Sequence, residues 1–113
     1  MSEEFGFDYH APIETNDKGG MQSKLEVDFS LLDIPAMFRL GQVLTKGKIR
    51  YERDNWRKID VESHLNHAIQ HIMAFIHDKR VPPTNLVEDH LGHAFTRLMM
   101  AIGVEEDEKR CKQ

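Results

Sequence analysis

Cysteine is almost absent from this chain. Cys111 stands alone, so no intramolecular disulfide can form and nothing points to an oxidising compartment. Long hydrophobic runs are missing too, and no apolar stretch approaches the ~20 residues of a membrane helix. The start, Met1-Ser2-Glu3-Glu4, lacks the basic flank and apolar run of a secretory signal. These absences predict a cytoplasmic protein with no membrane partner. An excess of positive charge is also lacking, the formal net charge being −4. Proteins that coat nucleic acid by charge alone are basic, so nucleic acid is not the expected partner, although a local basic pocket stays open.

What remains is the composition of a globular chain, 40% hydrophobic and 30% charged, and its 113 residues suit one domain. Residues 1–23 read as an irregular arm. Phe5, Phe7 and Tyr9 alternate with small or polar residues, then Pro12, Asn16 and Gly19-Gly20 break any period. Residues 24–104 read as an all-α domain and 105–113 as a frayed, charged tail.

Three long helices are predicted. The first runs from about Leu31 to Lys46, with Ser30 and Asp33 at capping-box spacing and Pro35 in the first turn. Ile34, Met37, Phe38, Gly41 and Leu44 give it an apolar face, and Gly47 is its expected stop. The second runs from about Val61 to His77 behind Asp60 as N-cap. Pro82-Pro83 forces an extended break. The third runs from about Leu86 to Ile102, capped by Asn85 with Glu88 and stopped near Gly103.

The second and third helices are copies. Glu62-Ser63-His64-Leu65-Asn66-His67-Ala68 matches Glu88-Asp89-His90-Leu91-Gly92-His93-Ala94 at a constant offset of 26, with five of seven residues identical. The match continues through His71 with Arg97, Ile72 with Leu98, Met73 with Met99 and Ile76 with Ile102. A short loop between them predicts an antiparallel hairpin with an approximate twofold axis. The fold expected is therefore a small all-α bundle around this hairpin. Three helices and an aromatic arm bury little area alone, so a homo-oligomer is expected.

On a helical wheel, Leu65, Ala68, Ile69, Ile72, Phe75 and Ile76 form one stripe. His64, His67 and His71 share one flank, and His90, His93 and Arg97 repeat it. Imidazoles three and four apart can bind a transition metal, completed by a carboxylate from the facing helix. Equally, they can flank a core and hydrogen-bond to neighbouring helices. Asp89, four residues before His93, is placed to accept that imidazole's N–H. Glu62 and Glu88 also suit a helix's first turn, where the dipole favours acid.

Lys48, Arg50, Arg53, Arg57 and Lys58 crowd one segment, with Tyr51 and Trp56 between them. Guanidinium and ammonium groups clamp phosphates, and an indole stacks on a base. Lys24, after Gly19-Gly20-Met21-Gln22-Ser23, adds another cation. The plainer alternative is a solvated turn with Trp56 plugging the bundle.

Several of these runs occur together: Gly19 to Ser23, Val43 to Gly47, Lys48-x-x-Tyr51-x-x-x-Asn55-Trp56-Arg57, Leu65-Asn66-His67-Ala68-x-x-His71, and Asp89-His90-Leu91-x-His93-Ala94. In that order they resemble the phage and prophage family of dATP/dGTP diphosphohydrolase N-terminal domains, over about residues 19–102. The resemblance implies distant kinship with the MazG-like all-α nucleoside triphosphate pyrophosphohydrolases. Those are oligomers whose helix-borne carboxylates hold Mg²⁺ to activate water at an α–β phosphate linkage. It implies Mg²⁺ or Mn²⁺ as cofactor, with Glu62, Glu88 and Asp89 as metal ligands. His67 and His93 would be ligands or acid–base groups. Lys24, Arg50 and Arg57 would grip phosphates and Trp56 would stack on the base, with Tyr51, Asn55, His64, His71 and Arg97 completing the nucleotide site. The MazG-like Glu-Glu-x-x-Glu and Glu-x-x-Asp runs are absent, however, and Asn66, Leu65 and Leu91 stand at comparable places. Two functions therefore stand open: metal-dependent hydrolysis of (deoxy)nucleoside triphosphates to monophosphate and pyrophosphate in a phage-infected cytoplasm, or capture of a nucleotide or nucleotide signal without cleavage.

Overall fold

The computed structural model describes residues 12–82 and 88–112. The chain divides into two compact units, residues 1–32 and 33–113.

The first unit is not irregular throughout. Strand β1 (Ile13–Thr15) pairs antiparallel with β2 (Met21–Ser23), with Glu14 opposite Gln22. Asn16 makes the turn: its Oδ1 accepts from the backbone N–H of Lys18 at 2.9 Å and of Gly20 at 2.8 Å. Gly19 takes φ +84°, a left-handed conformation that a side chain would strain. The Gly-Gly pair thus serves a hairpin, and the helical prediction is amended by a small two-stranded sheet. Phe5, Phe7 and Tyr9 lie outside the described residues.

The second unit holds helices α1 (Ile34–Arg50), α2 (Val61–Arg80) and α3 (His90–Cys111). Asp33 caps α1 by accepting from Ala36 N–H at 3.0 Å, and Pro35 occupies the first turn. α1 continues through Gly47 to Arg50, so Lys48 and Arg50 lie in its last turn, where cations suit the dipole. A short 3-10 turn, Asn55–Lys58, leads to Asp60 and α2.

α3 departs most from expectation. It starts at His90 with Asp89 as its cap, accepting from Gly92 N–H at 3.0 Å; the expected Asn85 cap lies outside the described residues. It runs through Gly103 into the charged segment, to Cys111. Gly103 is a notch and not a stop. A Cβ there would stand 2.6 Å from Trp56 Cη2, so the missing side chain admits the indole. Gly92 is a second notch, where a Cβ would collide with the carboxylate of Asp89.

α3 packs against both α2 and α1 and carries the 3-10 turn with Trp56. The buried apolar residues are small, namely Ala68, Ala94, Ala101 and Val104, which lets the helix backbones approach closely. His64 and Thr96 are buried with them. The expected core stripe of α2 points elsewhere: Leu65, Ile69, Ile72 and Ile76 are exposed, as are their copies Leu91, Leu98 and Ile102 on α3. Among the described residues, no helix is long and apolar enough to cross a membrane.

Candidate functional site

The copied helices face each other in opposite directions. His64 on α2 meets Arg97 on α3, and His71 further along α2 meets His90 at the start of α3. His90 is the copy of His64 and Arg97 the copy of His71, so these are one contact made twice, once at each end of the pair.

At the His71 end five titratable groups converge. The His71 and His93 rings stack with centroids 4.9 Å apart. His71 Nδ1 lies 3.1 Å from His90 Nδ1. Glu88 reaches both rings of α3, with Oε1 3.5 Å from His93 Nε2 and Oε2 3.7 Å from His90 Nδ1. Asp78, from the last turns of α2, places Oδ2 3.5 Å from His90 Nε2. One donor atom each from His71, Glu88 and His93 falls within 4.8 Å of the others. Ligands about 2.05 Å from a tetrahedral metal stand roughly 3.3 Å apart, close to the 3.5 Å between Glu88 and His93. Burial, then the neighbouring His93, lowers the pKa of His71, which favours the neutral, ligating imidazole. Two imidazoles and one carboxylate suit Zn²⁺ or Fe²⁺ better than Mg²⁺, which takes oxygen ligands.

The other end is built for packing. His64 is fully buried, its Nε2 2.9 Å from the Trp56 carbonyl and its Nδ1 3.1 Å from Arg97 Nη1. A carbonyl only accepts and a guanidinium only donates, so His64 carries its proton on Nε2 and accepts at Nδ1. Burial lowers the pKa of Arg97, against a smaller upward pull from Tyr51. Among the described residues Arg97 has no carboxylate partner, and its charge also acts on His71. His67, the copy of His93, is exposed, and so is Glu62, the copy of Glu88. Because the helices are antiparallel, Glu62 and Glu88 lie at opposite ends, separated by roughly ten residues of helix or ~15 Å. Within one chain they share no site.

The remaining predicted residues scatter. Asp89 is held by Arg39, whose Nε donates to Oδ2 at 3.1 Å and whose Nη2 donates to Oδ1. That pairing, with the Gly92 N–H, lowers the Asp89 pKa to about 2, and His93 turns to Glu88 instead. Arg57 pairs with Asp107 at 2.9 Å and Asp54 at 3.4 Å, while its guanidinium covers the Trp56 ring at 4.3 Å. Trp56 sits edge-on to His64 and against Gly103, as a plug. Asn55 is half-buried beside it in the 3-10 turn. Arg50 lies over the exposed Tyr51 ring at the end of α1. Lys24 follows β2 in the first unit.

Sequence reasoning marked His90 only as a member of the repeated histidine pattern and missed Asp78 altogether. The repeat could have raised His90, as the copy of His64. Asp78 lies two turns beyond His71 on the same face, a signal hidden among the charged residues closing α2.

A family model described as dATP/dGTP diphosphohydrolase, N-terminal, matches residues 16–113. No curated protein and no solved structure matches.

Proposed function

The chain belongs to the dATP/dGTP diphosphohydrolase N-terminal family, and we propose that it hydrolyses purine deoxynucleoside triphosphates to monophosphate and pyrophosphate with a metal held by His71, Glu88 and His93. The observation that carries this is the convergence of those three side chains between two helices. A bound ion would supply Lewis-acid charge and an ionised water near neutral pH. Arg97, a half-buried cation with no carboxylate partner among the described residues, would meet the phosphates. Water oxygen would bond to the α-phosphorus as the bond to the bridging oxygen breaks and pyrophosphate leaves. The donor set argues for Mn²⁺, Zn²⁺ or Fe²⁺ over Mg²⁺.

The open apolar stripes of α2 and α3 support a homo-oligomer in which a second copy covers them. A second reading draws on Asp89 being held by Arg39 and Glu62 lying at the far end, which leaves the site few carboxylates. On that reading the chain captures a nucleotide without cleaving it. Incubation with dATP and dGTP plus Mn²⁺, Zn²⁺ or Mg²⁺, followed by ion-exchange chromatography, separates the two. Monophosphate and pyrophosphate support hydrolysis. A triphosphate withdrawn from solution and released intact on denaturation supports capture.

A further inference from the structure

We propose that Asp78 is a positioning residue: acting through His90, it fixes the tautomer of His71 and leaves the Nε2 of His71 proton-free for a ligand. The consequence for metal rests on the site reading above; the tautomer itself does not.

The copied end supplies the template. There, His64 has an acceptor at Nε2, the Trp56 carbonyl, and a donor at Nδ1, the Arg97 guanidinium. His90 occupies the same place in the other copy and has the same polarity around its ring. The carboxylate of Asp78 faces its Nε2 at 3.5 Å, and His71 Nδ1 faces its Nδ1 at 3.1 Å. A carboxylate accepts only, so His90 carries its proton on Nε2 and its Nδ1 is a bare acceptor. His71 must then donate from Nδ1, which leaves its Nε2 with a free lone pair. Glu88 also faces His90 Nδ1, but at 3.7 Å and shared with His93.

Asp78 has no other evident task. Its side chain is only 25% exposed, and among the described residues it meets no lysine or arginine. Its counterpart in the third helix is Val104, a buried core residue. A carboxylate where the copy has an apolar side chain is costly to bury unless it is partnered, and here the partner is an imidazole. A carboxylate behind a histidine that itself orients a ligand is a common way to hold a metal site's geometry.

An amide at position 78 reverses the chain when its NH₂ takes the place of the carboxylate oxygen. In Asp78→Asn the side-chain NH₂ can donate to His90 Nε2, so His90 carries Nδ1–H, His71 accepts at Nδ1, and its proton moves to Nε2. The equivalent change behind a catalytic histidine elsewhere disables it by the wrong tautomer. Long-range ¹H–¹⁵N spectra of the imidazoles, on the metal-free full chain at a pH where the rings are neutral, test this directly. The wild type should show Nε2–H on His90 and Nδ1–H on His71, and Asp78→Asn should exchange both assignments. Zn²⁺ titration of the same proteins should then show affinity weakened roughly 10–100-fold in Asp78→Asn and restored in Asp78→Glu, with thermal midpoints unchanged. A proton on His71 Nε2 in the wild type, or tautomers and Zn²⁺ affinity unmoved both by Asp78→Asn and by Asp78→Val, which offers neither donor nor acceptor, overturns the positioning role and leaves the metal site standing. Wild-type protein that shows the expected tautomers yet binds no Zn²⁺ overturns the metal reading and with it the purpose assigned to Asp78.

Discussion

The two ends of the α2–α3 pair began as the same helix contact and have diverged into different chemistry. At one end His64 is sealed beneath Trp56 and tied to Arg97, and the neighbouring copies His67 and Glu62 face solvent. At the other, His71 stands where the copy has Arg97, and His90, His93, Glu88 and Asp78 gather around it. A permanent cation repels a metal ion, whereas a neutral imidazole supplies a lone pair. Among the differences between the copies, Arg97 against His71 thus separates an end where three donor atoms could hold an ion from an end whose ring is buried in the fold. Trp56 strengthens the division by closing the first end.

The sharpest break between the ends should come from paired variants. On the proposed activity, Glu88→Gln should lower turnover of dATP or dGTP at least roughly a hundredfold, beyond the loss typical of outer-shell partners. Its copy Glu62→Gln should leave turnover near wild type; equal losses would show that the ends are not distinct. Stability should split the other way. His64→Ala removes a buried ring with two hydrogen bonds and leaves Arg97 without its imidazole acceptor, while the Trp56 carbonyl keeps the Ile59 N–H. It should lower unfolding free energy by about 2–4 kcal/mol in urea titration, while His90→Ala, at a half-buried ring, should have a smaller effect. Gly103→Ala tests the plug, because the new methyl meets the Trp56 ring; a loss of about 1–3 kcal/mol with a shift in tryptophan fluorescence is expected.

The smallest effect concerns Asp89, whose pKa is lowered to about 2, first by the Arg39 hydrogen bonds. A lowered carboxylate contributes stability that is fully present above its unfolded value of 3.8. That contribution is lost as pH falls toward about 2. The pair is partly exposed and screened by salt. Urea midpoints between pH 5 and pH 2 should therefore fall less steeply in Arg39→Ala than in the wild type, most clearly at low salt.

Much of this was legible in the sequence because it is local. The helix cap at Asp60, the repeat and its antiparallel pairing follow from spacing alone, whereas α1 is capped by Asp33 and not by the Ser30 that the capping-box spacing marked. What escaped depends on partners remote in the chain. Gly103 reads as a stop until Trp56 is seen to fill its notch. Asp89 reads as a metal ligand until Arg39, from α1, takes both its oxygens. The apolar stripe of α2 reads as core because the pattern marks an apolar face without saying what covers it, and the small residues Ala68 and Ala94 make the helix contact instead. The repeated His-x-x-His pattern marks the histidines, but only packing decides which copy keeps its rings together.

The most direct test compares His93 with its own copy. Equilibrium dialysis of the wild type, His93→Ala and His67→Ala against Zn²⁺, followed by elemental analysis, reads the number of ions held per chain. The wild type and His67→Ala should retain the ion and His93→Ala should lose it. Equal retention in both variants, or loss in both, would contradict a metal site confined to the His71 end.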